Sequence, residues 1–192
     1  MDSQAFSKLD RRSFLRRAGL GSVALASLPG LFAAGPALAR GRAAGFNFTA
    51  ISRAATIGGV AHAVNMAGSG TIEEDDVDGG GHFQHYDAAS APPRTIFGAG
   101  AWKAKRLVSF KPIGTWGVIT AGEAVIEIEL RQTMPSPAAV SATLKVVCNV
   151  GSGGFDTGQP EGFTLTVPGA PYGAFVPIGA GITVFTIIPA AD

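Results

Sequence analysis

From Ala124 to Arg131 the chain alternates without a break, with Ala124, Ile126, Ile128 and Leu130 on one side and Val125, Glu127, Glu129 and Arg131 on the other. A period of two is the signature of a half-buried strand, because successive side chains leave a pleated backbone on opposite faces. The pattern recurs. Ala142, Leu144, Val146, Cys148 and Val150 make a second apolar stripe, opposite Ser141, Thr143, Lys145 and Asn149. Trp102, Ala104, Arg106, Val108 and Phe110 share one face of a further strand whose other face carries Lys103, Lys105, Leu107, Ser109 and Lys111. Residues 163–167 alternate again, and residues 182–188 are apolar on both faces, as a doubly covered strand would be.

Between these stripes the chain is punctuated by 27 glycines and 12 prolines, which favour turns over continuous helices. Residues 46–51 read as a first strand, and 57–64 and 70–74 as the next two, with 65–69 as their link. The acidic, Gly-rich run 75–81 reads as a turn, followed by a short strand over 82–86. Residues 88–94 contain Pro92-Pro93 and form a loop, since proline donates no ladder hydrogen bond. Residues 115–120 are expected to pair with 124–131 through 121–123, and residues 133–139, with Pro135 and Pro137, to cross over. No helical period stands out. The expected fold is all-β, an antiparallel β-barrel or β-sandwich of about eight to ten strands.

The first forty residues have a different logic. Lys8, Arg11, Arg12, Arg16 and Arg17 precede an apolar run over 18–34, and Ala37-Leu38-Ala39 places small side chains where a signal peptidase cuts. Cleavage is expected after Ala39, leaving Arg40 as the first mature residue. Pro29, Gly30, Gly35 and Pro36 interrupt the run and disfavour the alternative, an uncleaved membrane-spanning anchor. The hexad Arg11, Arg12, Ser13, Phe14, Leu15 and Arg16 resembles a bacterial twin-arginine (Tat) signal, with Asp10 the one departure from its pattern. The resemblance implies export of an already folded protein, with the Tat machinery and a signal peptidase as partners. Its destination would be secreted, periplasmic or on the cell surface. The expected organisation is a signal peptide over 1–39 and a single all-β domain over 40–192.

Removing residues 1–39 takes away five of 15 Lys+Arg and two of 14 Asp+Glu, leaving ten and twelve. A mature chain so nearly neutral has no electrostatic reason to bind nucleic acid. Cys148 is the single cysteine, so the fold has to stand without an intrachain disulfide. Gly79 to Phe83 and Gly100 to Lys105 resemble short motifs of secreted bacterial β-domain proteins, a resemblance that implies a recurring domain and no particular chemistry.

Candidate chemistry is sparse. Glu74, Asp76, Asp78 and Gly79 have the spacing of the first half of an EF-hand loop, but His85 falls where the bidentate Glu belongs and no helices flank it. His82 and His85, three apart on a strand, point to opposite faces. His85 and Asp87 can share a face, and His62 can join them through the fold. Glu127 and Glu129 lie on one face, where cross-strand ion pairs with lysines are the ordinary expectation. If the sheet closes into a ligand-holding barrel with that stripe inward, Glu127, Glu129, Arg131 and Lys103 become pocket residues. Cys148, on an apolar face, reads as an inert buried thiol. The segment 168–181, with Tyr172 and Phe175 among glycines and prolines, reads as an aromatic recognition loop or as a cap on an open end. No catalytic residue, cofactor or metal-ligand set is read from the sequence. The leading expectation is an exported, non-catalytic β-domain serving as a binding or structural module. The alternatives are a small ligand-binding β-barrel, isomerase- or cyclase-like in architecture, and a self-assembling surface protein.

Overall fold

A computed structural model describes residues 43–188. The targeting residues Arg11, Arg12, Phe14 and Leu15 and the cleavage residues Ala37, Ala39 and Arg40 lie outside the described residues. Eight antiparallel strands form one sheet: β1 (Ala43–Ile57), β2 (Val60–Glu73), β3 (Asp76–Asp87), β4 (Ile96–Trp116), β5 (Ile119–Met134), β6 (Ala138–Cys148), β7 (Gly162–Thr166) and β8 (Val176–Ile188). Their order is β4-β3-β2-β1-β8-β5-β6-β7, and an additional β4–β5 pairing closes a ring through six strands. The architecture is barrel-like, as the alternating stripes imply.

Three two-residue hairpins build most of it. Ile57 pairs with Val60 around Gly58-Gly59, which take φ of 58° and 82°, a conformation that glycine adopts without a Cβ clash. Glu73 pairs with Asp76 and Trp116 with Ile119 around equally short turns. The β7 side is closed differently. Among the described residues no ladder joins β7 to β8, and buried hydroxyls span the seam instead: Ser52 Oγ donates to the Phe163 carbonyl at 2.6 Å and Thr183 Oγ1 to the Val147 carbonyl at 2.6 Å.

The interior is filled by one stripe from each strand. Phe46 and Phe48 come from β1, Val64 and Met66 from β2, Ile126 and Ile128 from β5, and Leu144 and Val146 from β6, all buried. Two large rings lie where small residues make room. Gly68 pairs with Gly81 and Gly70 with Gly79; a Cβ on Gly81 would sit 2.8 Å from Trp102 Nε1, and one on Gly70 would sit 2.7 Å from Phe46 Cε1. Trp102 therefore lies against bare backbone, and its indole N–H donates to the Ala67 carbonyl at 3.1 Å.

That packing corrects two expectations. Residues 65–69 are not a link and 79–81 are not a turn; both run within long strands, and the break falls at Gly58-Gly59. A β-bulge in β4 after Ala104 resets its alternation, so Leu107 is buried while Arg106 and Val108 face solvent. Residues 119–134 likewise form one strand whose partner is β4, with the turn at Gly117-Val118 instead of 121–123.

Candidate functional site

The β2–β3 hairpin carries the most chemically distinctive cluster. Along β2, His62, Val64 and Met66 share the interior face, and along β3 so do Phe83 and His85; the register sets His85 opposite Val64 and Asp87 opposite His62. The two histidines are thus diagonal neighbours, and His62 Nδ1 lies 3.0 Å from His85 Nε2, one nitrogen donating and the other accepting. Asp87 shares their face but is engaged elsewhere. Its Oδ1 accepts from the Ala61 and Ala89 amides at 3.1 and 3.0 Å, fixing the strand end.

Aromatic rings enclose the pair. His62 has Tyr172 at 4.7 Å and Phe97 at 5.4 Å between ring centroids, and His85 has Phe97 at 5.1 Å with Tyr172 and Phe175 at 5.2 Å. Tyr172 and Phe175 arrive from the segment between β7 and β8. Phe175 is pinned by two backbone bonds with Leu165, at 2.9 and 3.0 Å, and the Tyr172 carbonyl accepts from the Ala55 amide at 3.2 Å. This segment therefore caps one end of the interior with its aromatic residues.

Beside the pair lies a cavity of about 100 Å³, lined by Val64, Phe83, Leu130, Val140, Leu165, Val167 and Phe175, with His85, Gln132 and Tyr172 as its polar members. Burial, and secondarily the charge of His62, lowers the His85 pKa from 6.5 to about 4. Burial also pushes the Tyr172 hydroxyl up. At neutral pH both groups are uncharged. The chamber is thus apolar, with a few polar groups able to orient a guest, which is the usual make-up of a small-molecule site.

Glu127, Glu129, Arg131 and Lys103 do not line this cavity. From Ala124 to Leu130 the even positions of β5 fill the interior, so the odd positions between them point outward, where Glu127 pairs with Arg106 and Glu129 with Lys105, at 3.3 Å, and with Arg131. The Arg106 and Glu127 side chains are 61% and 46% exposed, which marks a solvated outer face. The Arg106 guanidinium lowers the Glu127 pKa, and Arg131 and Lys105 lower that of Glu129. Lys103 sits opposite Glu129 in register, on the same outer face.

The remaining candidates are placed as follows. His82 is exposed on the opposite face of β3 from His85. The acidic residues Glu74, Asp76 and Asp78 are exposed at the β2–β3 turn, which Glu74 closes with φ of 51°. Cys148 is buried, and burial pushes its thiol pKa up. Among the described residues no group of three or more His, Cys, Asp or Glu side chains is gathered for a metal ion.

The chain matches no protein-family model, no curated protein and no solved structure. The cavity residues alone carry the functional reading. Phe97, Gln132 and Val140 carry no local sequence signal; Phe97 meets the histidines, and Gln132 and Val140 reach the cavity, only through the β3–β4, β4–β5 and β5–β6 registers. The histidines did carry a local signal. His85 lies two residues from Phe83 and so on its face, and His62 two residues from Val64.

Proposed function

We propose that the protein is an exported β-domain that binds a small, mainly apolar ligand at the capped end of its barrel-like interior. The observation that carries the reading is the cavity itself, apolar in most of its lining and bordered by a neutral His85 held in place by His62. About 100 Å³ suits a guest no larger than a single ring, since a cavity of about 150 Å³ lined by aliphatic side chains holds benzene or xenon. His85, Gln132 and Tyr172 favour a guest with one hydrogen-bonding group, such as a ring hydroxyl. Export rests on the Arg11-Arg12 motif and the small residues Ala37 and Ala39. The Tat machinery and a signal peptidase are the partners of that step.

The test is calorimetric titration of the full chain with phenol, alongside Val140→Trp, which fills the cavity from a strand position that is 40% exposed and so spares the core. Wild type should bind saturably and the variant about tenfold or more weakly. Equal binding by both, or none by either, removes the proposal.

A further inference from the structure

The His62–His85 pair has a second use that does not depend on an apolar guest. Two imidazole nitrogens that face each other across 3.0 Å share a hydrogen bond, and they also form a preassembled pair of ligands. Two Zn–N bonds of about 2.0–2.1 Å meeting at a tetrahedral angle hold their nitrogens roughly 3.3 Å apart. The observed spacing needs to open by only about 0.3 Å to admit the ion off the N···N line. Rotation about the side-chain torsions of two rings inclined at 38° supplies a shift of that size.

We infer that His62 Nδ1 and His85 Nε2 form a two-imidazole site for a borderline transition-metal ion such as Zn²⁺. Imidazole nitrogens select such ions over calcium or magnesium, which demand oxygen. Asp87, opposite His62 on the same face, is held through Oδ1 by the Ala61 and Ala89 amides and stays out of the set. The two remaining coordination positions therefore fall to water or to a donor atom of a guest in the adjoining cavity. Phe97, Tyr172 and Phe175 form an apolar wall around the rings, which restricts water and stiffens their orientation. Binding uses the lone pairs of both facing nitrogens: the proton held between them moves to the other ring nitrogen of the imidazole that donated it, so both rings bind as neutral ligands and the step needs no redox partner.

The probe is Zn²⁺ alone, added to the full chain without a polyhistidine tag and followed by equilibrium dialysis and by the ¹⁵N resonances of the histidine side chains. One equivalent should bind, with the His62 Nδ1 and His85 Nε2 resonances moving and those of the exposed His82 unchanged. His62→Phe and His85→Phe should each weaken binding by about tenfold or more, while His82→Ala leaves it intact. The resonance shifts decide the matter even if a variant fails to fold. Shifts confined to His82, unaltered affinity in a folded His62→Phe or His85→Phe chain, or no binding at millimolar zinc would overturn the inference. Phenol binding reports on the cavity separately, so either reading can fail while the other stands.

Discussion

Gly81→Ala tests the packing that places Trp102 in the interior. At an ordinary mid-strand position this change stabilises, because alanine loses less backbone freedom on folding, by about 0.4–1 kcal/mol. Here the added Cβ would stand 2.0 Å from the Ala67 carbonyl oxygen, 2.6 Å from Gly68 Cα and 2.8 Å from Trp102 Nε1. The first two neighbours are backbone of the paired strand, so relief requires β2 and β3 to part locally. The third is a ring only 2% exposed, whose bond to Ala67 would be lost as it moves. Overpacking of a filled interior costs about 1–3 kcal/mol and a lost hydrogen bond about 1 kcal/mol. After the backbone gain is set against these, a net loss of about 1–3 kcal/mol is expected. Gly151→Ala is the control, since its Cβ would meet nothing within 4 Å; it should be neutral or slightly stabilising. Urea unfolding followed by circular dichroism measures both. A Gly81→Ala chain as stable as wild type would refute the argument, as would an equal loss in Gly151→Ala.

Other expectations follow from burial and charge. In chelator-containing buffer, stability should fall as the pH drops from about 6.5 through 4: His85 has a folded pKa of about 4 against 6.5 unfolded, so the unfolded chain takes up the proton first. The gap corresponds to about 3 kcal/mol, which solvent screening of a half-buried ring reduces to about 1–2 kcal/mol, and His85→Phe should lack this slope in urea titrations. Glu127→Gln should leave Tm where it is, because the Arg106 pair is solvated; a clear drop would show that the outer face bears on stability. Cys148 should resist a thiol reagent until the chain unfolds, and stoichiometric labelling of native protein would contradict its burial.

The sequence was most legible where burial is one-sided. The stripe from Ala124 to Leu130 and that from Ala142 to Cys148 fill the interior as their alternation implies. It was least legible at glycine. Gly68, Gly79 and Gly81 read locally as link or turn residues, yet they lie in strands because Trp102 and Phe46, distant in sequence, occupy the space that side chains would take. The β4 bulge after Ala104 was hidden for a related reason: an extra residue in one strand is defined only against its partner, β5. The stripe of Glu127, Glu129 and Arg131 shows the same limit, since alternation separates two faces without saying which one encloses a cavity. The histidine pair lay between these cases. Alternation placed each ring on a face, but only the turn at Glu74-Asp75 fixes the register that joins them.

If the end of the interior beside His85 takes an apolar guest, amide chemical-shift mapping of the full chain on addition of phenol will locate it there. The predicted result is a saturable set of shifts centred on Phe83, His85, Leu165 and Phe175, with the outer residues Lys103, Arg106 and Glu127 unmoved. Shifts centred on that outer face, or no saturable shift anywhere, would contradict it.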